Sequence, residues 1–306
     1  MASLNRKRKN RAILKAVLGI AALIILSVGA MLWRQYREEK AQKAAAALPE
    51  DSTFEIRFFD VGEADSALVE CDGHYMLIDG GLPESSDFLY SYLETHSIRH
   101  LDYIVCSHAH IDHVGGLAGA LKYASVGTAF APVAEYDSRS FNSFLRYLNA
   151  QGGSITVPEP GDTVMLGSAR VTFIGPVDKE LAELNANNSS IILRIEYGAT
   201  SFLFTGDAEI AEELSVIDSG QTLKSTLLKV GHHGSYTSST TDFLNAVLPE
   251  YAVISAGKDN EHGHPHDVVL ERLSEYCKKV YRTDLDGEIV CRSDGKKLSF
   301  ETERNG

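Results

Sequence analysis

Three histidines and one aspartate fall within six residues of this chain, in the pattern His-Xaa-His-Xaa-Asp-His that begins at His108. The mainly apolar residues 101–106 before the pattern predict a buried strand, and residues 114–122 after it predict a helix. The four side chains therefore lie on a loop between a strand and a helix. Imidazole and carboxylate groups are ligands of zinc and of neighbouring first-row metals. The loop constrains the fold, because a strand must end before it and a helix must begin after it.

The spacing on this loop places the ligands in two sets. His108 and His110 can point the same way, whereas Asp112 and His113 turn toward a second position. That arrangement is compatible with two metal ions, a centre that clamps a substrate and activates water. We expect zinc, one or two ions, with manganese as the alternative. A polar loop without metal, or a helix cap with spare histidines, is the competing interpretation, but so dense a motif favours metal.

Other residues that can bind metal also follow predicted strands. They are Asp79, Asp207, the adjacent pair His232 and His233, and a loop with His262, His264 and His266. Strands come in pairs and helices come singly along residues 54–302. This order predicts an α/β fold of two mixed sheets packed face to face, with helices on the outer faces. If the strands are aligned, the loops meet at one rim, and a metal centre accounts for them better than isolated structural histidines do.

The first fifty residues differ from the rest of the chain. A cluster of five basic residues precedes residues 16–33, a run of 18 without charge, which is the lower limit for a membrane span. Basic residues stay on the cytoplasmic side of a membrane. We therefore predict a single-pass protein of the cell membrane: a basic cytoplasmic tail at 1–11, a transmembrane anchor at 12–33, a stalk at 34–50 and an extracytoplasmic domain at 51–306. A cleaved signal peptide is the competing interpretation.

The remainder of the chain is strongly acidic. Residues 1–50 contain ten Lys/Arg and three Asp/Glu, whereas the whole chain contains 29 and 42. Residues 51–306 therefore have a net charge of −20, against −13 for the whole chain. An acidic surface repels a phosphate backbone, so the overall field gives non-specific nucleic-acid binding no help. A local metal site can still bind a single phosphate group.

The chain has four cysteines, none of them in a CxxC pair: Cys71, Cys106, Cys277 and Cys291. Cys106 ends a predicted strand and is interpreted as a buried thiol. If the domain is extracytoplasmic, a disulfide bond can form between two of the other three cysteines. Asp60 and Asp65 lie in a short loop and are interpreted as turn-forming carboxylates.

Seven short motifs occur in order along the chain. They are Phe59-Asp60-Val61-Gly62-Glu63-Ala64-Asp65-Ser66, Leu77-Ile78-Asp79-Gly80-Gly81, the loop from His108 to Leu117, Asn187-Asn188-Ser189-Ser190, Phe204-Thr205-Gly206-Asp207-Ala208-Glu209, Lys229-Val230-Gly231-His232-His233-Gly234-Ser235 and Gly263-His264-Pro265-His266. In this combination the chain resembles the metallo-β-lactamase superfamily, and within it the C-terminal hydrolase domain of ComEC-type DNA-internalisation competence proteins. The resemblance covers nearly all of residues 54–292. It implies an αββα sandwich, preceded here by the single N-terminal transmembrane helix.

The resemblance also implies metal ligands at six positions: His108, His110, Asp112, His113, Asp207 and His233. Asp207 would bridge two metals, and Asp79 would orient the histidine loop from behind it. The chain departs from the wider superfamily at Asn187 and Asn188, where a histidine ligand is common. This departure weakens the first metal position, and the two amides can instead donate hydrogen bonds to a phosphate oxygen.

Polar residues on the same rim are predicted to act on substrate. Asp112, His232 and His264 are the predicted catalytic groups: Asp112 accepts a proton from the attacking water, and either histidine protonates the leaving group. Ser235 and His266, like the two asparagines, are predicted to contact substrate. Ordinary surface histidines are the alternative interpretation of His264 and His266.

The resemblance implies a metal-dependent hydrolase of phosphodiesters. In the competence proteins the domain is thought to act on DNA, but here a single anchor replaces their channel-forming membrane region. A related group of the superfamily cleaves phosphodiesters of choline-bearing wall polymers, so a small or wall-linked phosphodiester is the alternative substrate. The missing third-motif histidine disfavours β-lactam hydrolysis. A non-catalytic, membrane-tethered metal-binding module is the alternative from another class, and no protein partner follows from the sequence.

Overall fold

Two mixed β-sheets pack face to face, and helices cover the outer face of each sheet. This computed structural model describes residues 47–304, together with the isolated positions 33, 36, 39, 40 and 43. Strands in the middle of each sheet are apolar on both faces, whereas each helix is apolar on one face only. This pattern produces four layers, two sheets inside and helices outside. The predicted αββα sandwich is therefore confirmed for the described part of the chain.

The described strands are short, and most have five residues or fewer. They are β1 (Phe54–Phe58), β2 (Ala67–Cys71), β3 (His74–Ile78), β4 (His100–Val105), β5 (Ser125–Phe130), β6 (Ile155–Thr156), β7 (Thr163–Leu166), β8 (Ala169–Gly175), β9 (Ile192–Tyr197), β10 (Thr200–Phe204), β11 (Leu227–Lys229), β12 (Tyr251–Ile254), β13 (Lys279–Arg282), β14 (Ile289–Ser293) and β15 (Leu298–Thr302).

Each sheet is antiparallel in one half and parallel in the other. The first has the order β15-β14-β1-β2-β3-β4-β5-β6, and its parallel part runs from β3 to β6. The second has the order β13-β12-β11-β10-β9-β8-β7, and its parallel part runs from β13 to β10. Loops after parallel strands leave the sheet at one edge, so this topology gathers the histidine-bearing loops.

The helices follow strands singly. They are α1 (Ser85–Thr95), α2 (Ile111–Val114), α3 (Leu117–Tyr123), α4 (Arg139–Ala150), α5 (Lys179–Leu184), α6 (Ile210–Asp218), α7 (Thr241–Val247), α8 (Asp267–Tyr276) and α9 (Thr283–Asp286). Two 3₁₀ turns, Ala186–Ser189 and Gly231–Gly234, lie at the edge where the site is built. Side-chain caps fix some helix starts: the Ser138 hydroxyl accepts a hydrogen bond from the Phe141 backbone N–H at 3.1 Å, at the start of α4.

The core lies in three apolar layers. Between the sheets, alternate residues of β1 point inward, and Phe54 stacks on Tyr197 and Phe202 with ring centroids 4.9 and 4.8 Å apart. The outer faces bury α1, α3 and α4 against the first sheet, and α6, α7 and α8 against the second. Each fully buried aromatic side chain contributes roughly 2–3 kcal/mol, so the sandwich is rigid enough to hold loops at its rim.

Sequence patterns locate most strands and the longer helices to within three residues of their ends. The exception is residues 114–122, predicted as one helix, which are divided between α2 and α3 at Gly115 and Gly116. The backbone of Gly116 lies so close to the Gly80 carbonyl that a side chain would overlap it. This contact holds the loop after β3 against the histidine loop. Short elements such as β6, α5 and α9 were not predicted, because two to six residues give no clear period.

The N-terminal predictions lie almost entirely outside the described residues. The tail (1–11), the anchor (12–33, except Trp33) and most of the stalk (34–50) are in this category. Among the residues that the structure describes, no helix is long and apolar enough to cross a membrane. The anchor therefore stays a prediction.

All four cysteines lie in the described part of the chain and are free thiols. The disulfide that the sequence left open is not formed, and Cys106 is buried as predicted. Burial raises the pKa of the Cys277 thiol to about 12, so the thiolate is scarce at neutral pH.

Two adjacent glutamates of α6 are buried, and burial raises the pKa of each to about 7. Glu212 Oε1 accepts a hydrogen bond from the Val177 N–H at 2.7 Å, but its Oε2 has no hydrogen-bond partner in the described structure. Both oxygens of Glu213 accept hydrogen bonds, from the backbone N–H groups of Ser239 and Thr240 and the Thr240 hydroxyl.

We expect Glu212→Gln to stabilise the protein at pH 8 relative to the unsubstituted chain. The folded state binds the Glu212 proton more tightly than the unfolded chain, so stability is lost as pH rises from about 4.5 to about 7. Glutamine does not titrate, so the substitution removes this loss, which amounts to up to roughly 3 kcal/mol in the free energy of unfolding. The difference is measured from the urea midpoints of both proteins at pH 5 and pH 8. Glu213→Gln is the contrast, because its amide meets N–H donors and should destabilise. Equal pH dependence in Glu212→Gln and the unsubstituted chain would contradict the prediction.

Candidate metal centre

The parallel halves of the two sheets end on the same side of the sandwich. Asp79 follows β3, the histidine loop follows β4, Asp207 follows β10, and the turn Gly231–Gly234 follows β11. The backbone links these loops, because the Gly80 N–H donates to the His113 carbonyl at 2.7 Å. The structure thus brings together residues that the sequence placed at one rim.

One set of side chains converges around Asp207. His113 Nε2 lies 3.3 Å from Asp207 Oδ1, and His233 Nε2 lies 3.8 Å from Asp207 Oδ2. Asp112 Oδ2 is 3.3 Å from His233 Nε2 and 3.8 Å from His113 Nε2. One ligand atom from each of the four residues lies within 4.8 Å of the others. This spacing can hold a cation.

A second set lies beside the first. His108 Nε2 is 3.0 Å from His110 Nδ1 and 3.9 Å from Asp207 Oδ2. Asp207 therefore faces both sets, with Oδ1 toward His113 and Oδ2 toward His108. All six residues predicted as metal ligands meet in one place, and the Asp207 carboxylate lies between the two sets.

Unpaired polar atoms test whether these residues fit a metal. His113 Nε2, Asp207 Oδ1 and His233 Nε2 are buried and have no hydrogen-bond partner within residues 47–304. Buried polar atoms without partners are rare and cost about 1–3 kcal/mol each. Here all three atoms belong to residues of one cluster, and they are the ligand types of first-row metals. The donor set fits a metal ion.

The charges within the cluster shift its pKa values strongly. Burial raises the pKa of Asp207, but the imidazoles of His113 and His233 outweigh burial and hold it well below the usual range. Burial lowers the pKa of His113, but Asp207 and Asp79 outweigh burial and raise it well above the usual range. Burial and the neighbouring His113 both lower the pKa of His108. Metal ligands must be deprotonated, so a cation at this cluster competes with protons for the imidazole nitrogens.

Asp79 lies behind the histidine loop, where the sequence placed it. Its Oδ2 is 2.9 Å from His113 Nδ1, and its two oxygens accept hydrogen bonds from the Ser107 N–H and hydroxyl, each at 2.7 Å. The Ser107 hydroxyl is also 3.2 Å from His108 Nδ1. A carboxylate at Nδ1 leaves Nε2 of His113 free to bind a cation. Sequence reasoning missed Ser107.

The two asparagines tie one loop to another. Asn187 Nδ2 donates to Glu209 Oε1 at 3.1 Å, and the Glu209 N–H donates to Asn188 Oδ1 at 3.0 Å. These bonds dock the turn Ala186–Ser189 on the loop after Asp207. The neighbouring Ser190 hydroxyl accepts from the Asp207 N–H at 2.9 Å. The predicted role of the asparagines in binding phosphate stays a prediction, and one Asn187 donor is already engaged.

The remaining predicted residues lie around or beside a cleft of about 500 Å³, which Asp112, His232, His233 and His264 line. His232 Nε2 is 3.9 Å from Asp207 Oδ2, so this histidine borders the cluster. His264 Nδ1 is 2.8 Å from Glu63 Oε1, a contact that sequence reasoning missed. Nδ1 is therefore engaged in both histidines, since His232 Nδ1 lies 3.0 Å from the Thr237 hydroxyl.

Ser235 and His266 are not among the described residues that line this cleft. The Ser235 hydroxyl is buried and accepts from the Thr237 hydroxyl at 3.1 Å. His266 Nδ1 accepts from the Tyr236 N–H at 3.2 Å, and its ring packs on the Tyr236 ring. Both residues shape the loop after His233, and their predicted contact with substrate stays a prediction.

Asp65 was interpreted as a turn-forming carboxylate, and that interpretation is wrong. Its side chain is buried and forms an ion pair with buried Lys229, with Lys229 Nζ 2.7 Å from Asp65 Oδ2. The signal was Lys229 itself, a lysine between Leu228 and Val230 in an otherwise apolar strand, where a charge needs a buried partner. Asp60 is partly exposed and accepts from the Gly62 N–H at 3.4 Å, as a turn former does.

Comparison with known proteins agrees with this geometry. A sequence profile of the metallo-beta-lactamase superfamily matches residues 59–258. The chain is 31% identical over 264 residues to ComE operon protein 3 of Bacillus subtilis (strain 168), covering 80% of this chain and 34% of that protein. It is 30% identical over 245 residues to competence protein ComA of Neisseria gonorrhoeae, covering 79% and 33%. The chain thus spans about a third of the length of these relatives. The resemblance stated from the motifs is confirmed.

Solved structures share the fold. The metallo-beta-lactamase fold protein YhfI from Bacillus subtilis is similar with a TM-score of 0.52 and 13% identity, over 78% of this chain and 100% of that chain. CmlA, a diiron β-hydroxylase from Streptomyces venezuelae, is similar with a TM-score of 0.53 and 16% identity, over 84% and 55%. At these identities the similarity establishes the architecture alone.

Proposed function

Since the chain belongs to the metallo-β-lactamase superfamily, we propose that this metal-dependent hydrolase, a relative of competence proteins, cleaves phosphodiesters. The observation that supports it most is the set of buried, unpaired ligand atoms at His113, Asp207 and His233, beside a cleft of about 500 Å³. A centre of this kind suits a substrate that offers anionic oxygens to a cation. The ligand positions of His108, His110 and Asp112 complete the proposed site.

The proposed chemistry divides between the ion and the side chains. When bound, a zinc or manganese ion supplies a Lewis acid and activates water for attack. Asp112 is 26% exposed at its side chain and borders the cleft, so it can accept a proton from the attacking water. His232 and His264 lie across the cleft with ring centroids 5.7 Å apart, and either can protonate the leaving oxygen.

Two substrate classes are candidates. The similarity to competence proteins supports DNA. The cleft supports a small or wall-linked phosphodiester instead, because among the described residues no lysine or arginine lines it, while Asp259 and Glu261 do. The net charge of −20 over residues 51–306 adds to the repulsion of a polyanion. This repulsion is smallest for a diester that has a single negative charge and carries a neutral or choline-bearing substituent.

We expect the full chain, purified in detergent, to hydrolyse bis-p-nitrophenyl phosphate when metal is present and to stop on chelation. Single-stranded DNA and glycerophosphocholine, assayed at several salt concentrations, separate the two substrate classes. Because the cleft and domain repel polyanions, kcat/KM for DNA should be low and should rise with salt. DNA cleavage that is fastest at low salt would favour a nuclease. Full metal content without turnover of any diester would favour the non-catalytic binding module.

We also propose that the domain lies outside the cytoplasm, on a single N-terminal anchor. The support is the basic cluster before residues 16–33, a run of anchor length. Protease added to intact cells should digest the domain while a cytoplasmic marker survives. Digestion that occurs only after lysis would contradict this topology.

A further inference from the structure

An ion pair lies buried directly beneath the candidate metal centre. Lys229 ends β11 and is 3% exposed, and Asp65 in the loop after β1 is 5% exposed. Lys229 Nζ donates to Asp65 Oδ2 at 2.7 Å and to the Val230 carbonyl at 3.2 Å. The pair joins the first sheet to the second at the point where His233 leaves β11.

The second oxygen of Asp65 faces His233. Asp65 Oδ1 is buried 3.4 Å from His233 Nδ1, and it has no hydrogen-bond partner in the described structure. His233 Nδ1 also lies 3.1 Å from the Ser255 carbonyl. The hydrogen bond to this carbonyl needs a proton on Nδ1, and the charge of the nearby Asp65 carboxylate favours the same proton. Nε2 is then the nitrogen that can bind a cation. That atom faces Asp112 and Asp207.

The backbone holds Asp65 in this place. Its N–H donates to the Asp112 carbonyl at 3.1 Å, and its carbonyl accepts from the Gly81 N–H at 2.7 Å. His232 and His233 in turn have positive φ angles of 48° and 52°. Such angles cost side-chain-bearing residues about 1–3 kcal/mol and persist where the surroundings fix them. The ion pair is part of those surroundings.

We propose that Asp65 and Lys229 are positioning residues that set His233 as a metal ligand. The inference rests on the metal site of the proposed function. Asp65 orients the imidazole and fixes the proton on Nδ1. Lys229 fixes the rotamer of Asp65 and balances its charge, so that the carboxylate does not bind a cation itself. A buried ion pair adds little stability over an apolar pair, which argues that this one serves the histidine beside it.

The test compares two double variants of the full chain without the buried charges. Lys229→Met with Asp65→Asn keeps a side-chain oxygen beside His233 Nδ1, whereas Lys229→Met with Asp65→Leu, of nearly the same shape, leaves only the Ser255 carbonyl there. Zinc affinity is measured by competition with a chromogenic chelator, on protein shown by circular dichroism to be folded. We expect the Leu variant to bind zinc at the position of Asp112, His113 and His233 about 10–100-fold more weakly. The position of His108 and His110 is the internal reference.

The single variant Asp65→Asn gives a second result that a structural role would not produce. Lys229 would attract the amide oxygen and turn the NH₂ group toward His233 Nδ1. That contact favours the tautomer with its proton on Nε2, so zinc affinity should fall although the amide is isosteric. Adding Lys229→Met should restore part of the affinity.

Histidine ¹⁵N spectra of the zinc-loaded, unsubstituted protein give an outcome that does not depend on folding of variants. We expect His233 in the tautomer with its proton on Nδ1, in a hydrogen bond. Equal zinc affinity of the two double variants, or an Nε2-protonated His233, would overturn the proposal. An unsubstituted protein that binds no zinc or manganese would overturn the proposed function instead.

Discussion

Asp207→Ala should remove both the metal and hydrolysis. The Asp207 carboxylate lies between the two ligand sets, 3.3 Å from His113 Nε2 and 3.9 Å from His108 Nε2. Without the Asp207 carboxylate, four imidazoles remain close together, and the site has less negative charge with which to bind a cation. Loss of several kcal/mol of charge stabilisation in the transition state corresponds to about 10³-fold or more in turnover. Metal content and turnover of bis-p-nitrophenyl phosphate are measured on the same preparation.

Asp218→Ala is the matched control for this variant. Asp218 ends α6 on the same segment of chain and is exposed. It should retain metal and turnover. An Asp207→Ala protein with normal metal content would show that this carboxylate does not lie between bound ions.

Asp112→Ala should separate metal binding from turnover. Asp112 Oδ2 lies near His233 and His113, at 3.3 and 3.8 Å, and belongs to only one of the two ligand sets. The variant should therefore keep part of its metal at His108 and His110. Turnover should still fall by about 10²–10⁴-fold, because both a ligand and the proton acceptor are lost.

The measurement for Asp112→Ala is metal stoichiometry beside turnover, again with Asp218→Ala as control. Near-normal turnover would mean that the site does not use the histidine loop as proposed. Complete loss of metal would mean that the two positions bind cooperatively, and that Asp112 is not confined to one of them.

Local patterns were enough to locate most of the sandwich. The alternation in β1 and the apolar run that became β4 each depend on residues close in sequence, so they were predicted from the chain alone. The break between α2 and α3 was missed, because it depends on the approach of Gly116 to Gly80, 36 residues earlier. A helical pattern has no information about such a contact.

The candidate site divides in the same way. The loop from His108 to His113 concentrates ligand types within six residues, so the sequence identified it directly. Asp65 and Lys229 are 164 residues apart, and each has an ordinary local interpretation until the sheets bring them together. Asn187 was recognised by its motif, but its bond to Glu209 depends on the docking of two loops. The proposed metal ligands were therefore easier to predict from the sequence than the residues that position those ligands.

We propose that the buried cluster around Asp207 is a metal centre that hydrolyses phosphodiesters. The most direct measurement follows metal content and phosphodiester turnover on one preparation of the full chain, while metal is removed by chelation and returned in steps. We expect turnover to disappear with the metal, to return with it and to saturate at about one or two ions per chain. Turnover that persists in metal-free protein would show that hydrolysis does not depend on a metal at this cluster.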